Sequence, residues 1–214
     1  LDSKYFWIIV IVSIVIAANL PFMSIQYPIN TDEFSSLAVP AYYAGHDWSD
    51  IISTLSFHGY GFTILFVPIF RLLNDSIYIY KFIMAGALAL RIVMALLAFH
   101  ICESSFSIKY RTSAFIALVC EAGSLKADDG MPVSAMAELP FAFVALLAAL
   151  FFLKGTENSG KKKITFFGIA GLFMAYGYLI HSRSIIMWFS VAVVIMLYLL
   201  AYKKIDSRIL VFMV

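Results

Sequence analysis

Charge is scarce in this sequence. Asp, Glu, Lys and Arg make up 13% of its 214 residues, against roughly 25% in an ordinary soluble domain. Apolar side chains fill the deficit: they are 63% of the chain, and mean hydropathy is +0.93. A soluble globule of this size cannot hide that much apolar surface, because surface area falls too slowly with size. A soluble enzyme, a disordered tail and a nucleic-acid binder are thereby excluded. The bilayer is the expected solvent. Cysteine is scarce too. Cys102 and Cys120 fall at the end of one apolar run and inside another, which implies neither a disulfide framework nor a metal site. There is no internal repeat and no low-complexity tract.

The apolar residues form six segments able to span a membrane, at about 5–23, 77–101, 112–125, 140–153, 164–181 and 185–202. The expected fold is all-α: a polytopic transmembrane helix bundle of about six spans plus interfacial helices, a single transmembrane domain over 1–214. The run after Lys4 reaches Met23 with no small-residue cleavage pattern, so it reads as a first span and not a signal peptide. The last run starts near Ile209 and holds about six apolar residues, where a span needs about twenty. The chain is therefore expected to be part of a longer polytopic protein, incomplete at its C-terminus.

Phe62 to Leu73 is apolar but short, and it carries Pro68. The charges indicate that it does not cross. Lys and Arg mark cytoplasmic loops, and ten of the fifteen bases sit in four places. These are Lys4, Lys109 with Arg111, the loop from Gly155 to Lys163 with Lys154 before it, and Lys203, Lys204 and Arg208. All fall on one side only if Phe62–Leu73 is interfacial or re-entrant. That topology puts Asp32, Glu33, Asp47, Asp50, Asp75, Asp128, Asp129 and Glu138 together on the other face. The N-terminus is then cytoplasmic. Two extracytoplasmic loops follow, at 24–61 and 126–139. A loop as long as the first is usually functional. Thr31 to Gly45 can form a short helix on the membrane, with Phe34, Leu37, Ala38 and Ala41 facing lipid, although Pro40 interrupts it. Tyr42, Tyr43 and Trp48 suit the interface.

Four constellations carry possible chemistry. Asn30-Thr31-Asp32-Glu33 places adjacent carboxylates near the membrane surface, suited to acid–base or metal work. The same residues also fit a helix N-cap. Asp128, Asp129 and Glu138 lie on the second external loop. They are either a solvated acidic loop or, through Glu138 beside Pro140, the partner of the first loop around a divalent cation such as Mg or Mn. His181-Ser182-Arg183 is the turn between the fifth and sixth segments. Its Arg, on the external face, is either a bidentate phosphate ligand or a side chain snorkelling to lipid headgroups. Lys81 is a second phosphate candidate with the same alternative. Arg91 and Glu121 each lie ten residues from an inner span end, about 15 Å deep. Charges at that depth are costly unless paired, so a structural Arg91–Glu121 ion pair is expected. Asn74-Asp75-Ser76 matches the short glycosylation acceptor pattern.

The order of these features resembles the GT-C membrane glycosyltransferases, especially family 39, which includes protein O-mannosyltransferases and lipid A aminoarabinose transferases. The resemblance covers about residues 5–190. It rests on one span, an external loop opening with Asp32-Glu33, and an apolar segment ending Arg71-Leu72-Leu73-Asn74-Asp75-Ser76. A span with a base near its outer end follows, then a second loop ending Ser134-Ala135-Met136-Ala137-Glu138-Leu139-Pro140. The Thr-Lys-Gly pattern common in family 39 is absent.

The resemblance implies an enzyme whose donor is a sugar on a polyprenyl phosphate and whose acceptor is a glycan, lipid or protein. Asp32 would be the catalytic acidic residue, acting as general base, with Glu33 its neighbour. Glu138 would be the acidic residue of the second loop, with Asp128 and Asp129 beside it. Lys81, Arg183 and His181 would lie at the donor phosphate. A divalent cation, if one is used, would be held by Asp32 and Glu138. The bilayer is a partner and nucleic acid is not. The alternatives are a polytopic transporter, or a non-catalytic lipid-binding membrane protein. A transporter needs charges lining a midplane path and tends to show repeated halves. Only Arg91 and Glu121 lie deep here.

Overall fold

The computed structural model describes residues 3–24, 31–52, 59–127, 138–182, 184–186, 188–190 and 193. Among them the regular structure is helical throughout. The long helices are α1 (Lys4–Ser24), α5 (Ser76–Ser104), α6 (Tyr110–Ala127), α7 (Glu138–Glu157) and α8 (Gly160–Ile180). Three short ones, α2 (Thr31–Ala44), α3 (Ser49–Ile52) and α4 (Val67–Leu72), lie between α1 and α5, and a 3-10 turn at Thr63–Phe66 leads into α4.

Four helices, α1, α5, α7 and α8, are long and apolar enough to cross a membrane. The 29 residues of α5 rise about 43 Å, more than a hydrocarbon core of about 30 Å. The segment expected at 112–125 is α6, but Arg111, Glu121 and Lys126 keep it less apolar than the other four. The segment expected at 185–202 falls mostly outside the described residues. The 3-10 turn and α4 together make an apolar helical stretch of ten residues, Thr63–Leu72, about 15 Å of α-helical rise and too short to span.

The helix ends have local causes. Asp75 caps α5, its Oδ1 accepting from the amides of Ile77 (2.8 Å) and Tyr78 (3.3 Å), two of the donors a helix start leaves unpaired. Gly45 (φ +103°) ends α2. The amides of Gly45 and His46 reach back to Tyr42 O (2.9 Å) and Ala41 O (3.0 Å), the paired closure that a left-handed residue allows.

The chain groups into two units, residues 1–56 with 63–139, and 57–62 with 140–214. In the first, α1, α5 and α6 pack around Ile11, Val15, Ala95, Phe99, Ala114 and Ala117. Lys4 Nζ binds Glu103 Oε2 at 2.7 Å, so the start of α1 and the end of α5 share one end of this bundle. Lys109 and Arg111 line a cavity with Glu103 at that same end. At the opposite end, α2 and α4 close over the start of α5 through Leu37, Ala41, Phe70, Ile79 and Ile83.

This packing corrects the expected environment of α2. Leu37, Ala38 and Ala41 do not face lipid: they are 5%, 0% and 0% exposed. Periodicity shows that a helix has an apolar face but not what covers it, and here α4 and α5 do. Among the described side chains of α2, Tyr42 and Tyr43 are the exposed ones.

In the second unit α7 and α8 form a hairpin bridged by aromatic rings. Phe151 stacks on Phe173 at 5.6 Å and Phe152 meets Phe167 at 5.4 Å. The expected loop from Gly155 to Lys163 shrinks to Asn158 and Ser159, because α7 runs to Glu157 and α8 starts at Gly160. Lysine is a good helix former, so a basic run at a membrane surface need not end a helix. Residues 59–62 lie against the end of α8. Gly61 N donates to Leu179 O at 2.9 Å, and Tyr176 Oη donates to Gly61 O at 2.5 Å. A Cβ on Gly59 would run into Leu179 O, and one on Gly61 would sit 2.8 Å from Leu179 Cβ. Glycine permits this approach of two backbones.

Candidate functional site

The candidate site is built at the end of the first unit where α2 meets α5. Asp32 and Glu33 lie in the first turn of α2, where the helix dipole favours negative charge. The same helix then contributes Leu37 and Ala41 to a cavity of about 420 Å³. Leu37 is five residues beyond Asp32, about 7.5 Å along the helix. The cavity is also lined by His46, Trp48, Asn74 and Tyr80. It has the size and the mixture of apolar walls with a few polar groups that small-molecule sites share.

Three contacts hold this region in place. His46 Nε2 donates to Phe70 O at 3.3 Å, with the two rings 6.2 Å apart. Arg71 Nη2 donates to Tyr43 O at 2.9 Å, tying α4 to the last turn of α2, where a cation suits the dipole. Asp75, which caps α5, lies in sequence between Asn74 and Ser76, which both line the cavity. The asparagine and serine of the acceptor pattern are thus cavity residues.

Lys81 lies between Ile79 and Ile83, the two α5 residues buried in the contact with α2, and its own side chain is exposed. Glu138 opens α7 and is half-buried. His181 follows α8 in a turn, 2% exposed, its ring 6.1 Å from that of Phe141. Ser184 N donates to His181 O at 3.0 Å, which closes the turn. Arg183, Asp128 and Asp129, and the side chains of Asp32 and Glu33, lie outside the described residues. The structure therefore brings the helix of Asp32 and Glu33 together with that of Lys81. His181 belongs to the other unit.

Among the described residues no group of three or more His, Cys, Asp and Glu is close enough to hold a metal ion. The carboxylates that would hold one are chiefly those outside the described side chains.

Deeper in the first unit, Arg91 Nη1 of α5 lies 2.9 Å from Glu121 Oε1 of α6, with side chains 0% and 6% exposed. The pair is distant in sequence and fully inside the bundle, so it neutralises two charges that the membrane would otherwise exclude.

Sequence reasoning did not single out Trp48, Asn74 and Tyr80 as a group. They sit on separate elements, and only the packing of α2 and α4 over α5 gathers them. The one available signal was an interfacial tryptophan near a histidine. Comparison of the chain with protein-family models, with curated proteins and with solved structures returns no match.

Proposed function

We propose that this chain is a membrane glycosyltransferase domain of the GT-C type, moving a sugar from a polyprenyl-phosphate donor to a hydroxyl or amine acceptor. In this reading there are six spans, the N-terminus is cytoplasmic and the active site is extracytoplasmic. The observation that supports it is the position of Asp32 and Glu33. They open a short helix that is packed onto the end of a membrane-length helix and continues into a 420 Å³ cavity. A donor whose tail stays in the bilayer needs its acid–base group at that height.

The proposed chemistry follows from the residue types. Asp32 takes the proton from the acceptor hydroxyl or amine as the acceptor's lone pair attacks the anomeric carbon. The bond from that carbon to the phosphate oxygen breaks, its electron pair leaving with polyprenyl phosphate, and the configuration inverts. Lys81 and Arg183 offset the charge growing on the phosphate. His181, buried against Phe141, is the third residue proposed at the phosphate. Glu33 is the catalytic neighbour of Asp32, and Glu138, with Asp128 and Asp129 before it in sequence, positions the acceptor. If a divalent cation takes part, Asp32 and Glu138 are its proposed ligands, and it would offset phosphate charge.

The test is donor consumption. Membranes containing the full chain, given a radiolabelled polyprenyl-phosphate sugar, should lose label from the lipid fraction faster than membranes without it. Equal loss in both removes the donor from the proposal. Lys81→Gln should slow turnover about 10- to 100-fold if its ammonium meets the phosphate. An unchanged rate leaves Lys81 as a headgroup contact only.

A further inference from the structure

The α7–α8 hairpin carries a cavity of its own, of about 500 Å³. Lys154, Lys161 and Lys162 line it, with Glu157 the one acid among its lining residues. Among the described residues no salt bridge engages the ammonium groups of these three lysines. The neighbouring Lys163 is directed elsewhere, over the ring of Phe167 at 5.8 Å. Three cations against one carboxylate leave the cavity net positive, with Lys161 and Lys162 exposed and Lys154 half-buried, a balance that attracts an anion.

The position says which anion. Lys154 is in the last turn of α7, and Lys161 and Lys162 are in the first turn of α8. Both helices are of membrane-spanning length and composition, so the cavity lies at the height of lipid headgroups. Its polar lining includes Asn158, whose Nδ2 donates to Lys154 O at 2.8 Å and keeps the turn closed. Its wall includes the half-buried ring of Phe166, an apolar surface beside a cationic one. Basic pockets between transmembrane helices are suited to phosphate-bearing lipid headgroups.

We infer that the cavity between Lys154, Lys161 and Lys162 binds the phosphodiester headgroup of an anionic phospholipid, whose acyl chains run down the α7–α8 face. Free phosphate shares the charge but lacks those chains, so it should compete poorly.

The experiment is native mass spectrometry of the full chain in detergent, offered equal amounts of phosphatidylglycerol and phosphatidylcholine. Phosphatidylglycerol adducts should dominate, and excess inorganic phosphate should leave them in place. Lys161→Gln and Lys162→Gln should each weaken phosphatidylglycerol retention about fivefold. The Lys161→Arg, Lys162→Arg double variant should retain it. Equal retention of the two lipids by the unaltered chain overturns the inference. So does undiminished phosphatidylglycerol in the glutamine variants, or displacement by inorganic phosphate, which would make a soluble phosphate the occupant.

Discussion

Arg91 occupies an expensive position, a guanidinium wholly buried within a membrane-length helix. Its 2.9 Å contact with Glu121 makes the position tolerable, since breaking a buried pair leaves one uncompensated charge, at about 3–5 kcal/mol. Arg91→Gln and Glu121→Gln should each lower thermal stability in detergent strongly, and the double variant should recover much of the loss. Single variants no worse than the double would contradict a paired role. Two glycines make equally local predictions. Gly45→Ala forces a Cβ into φ +103° and should cost about 1 kcal/mol in the same melt. Gly59→Ala should lower the melting temperature by collision with Leu179 O, whereas Tyr60→Ala, at a ring 59% exposed, should not. Equal effects at 59 and 60 would mean that the segment does not rest on α8 as described.

Helices were the legible part of this chain. Apolar length located α1, α5, α7 and α8 within a few residues, and in α5 the remaining uncertainty was resolved by the Asp75 cap. The deep Arg and Glu could be matched because each is measured along its own helix from a nearby basic or polar end. The start of α8 was less legible, since Lys161 to Lys163 look like a loop but helical propensity carries them into the first turn. The environment of α2 was not legible. Its stripe of Leu37, Ala38 and Ala41 fits lipid or protein equally well, and only the tertiary arrangement of Phe70, Ile79 and Ile83 decides. The cavity of His46, Trp48, Asn74 and Tyr80 was hidden for the same reason, as it depends on elements about thirty residues apart. The acidic pair in the first turn of α2, by contrast, was visible as a motif before any packing was known.

Ten of the fifteen bases and eight of the thirteen acids fall in separate stretches of the chain, and in the first unit part of that separation is spatial. Lys4, Lys109 and Arg111 gather with Glu103 at one end. Asp75 and the packed face of α2 lie at the other. With the ten-residue segment before α5 too short to cross, cysteines introduced at Ser53 and Ser159, with Cys102 and Cys120 replaced, should label from opposite sides of the membrane. Same-side labelling would reverse the topology on which the site depends. The central claim is narrower still: one carboxylate does the acid–base work. Its direct measurement is the rate of sugar transfer from a polyprenyl-phosphate donor by Asp32→Asn in membranes, at matched protein level. A loss of about 10²- to 10⁴-fold is expected for a general base, and turnover near that of the unaltered protein would contradict the role assigned to Asp32.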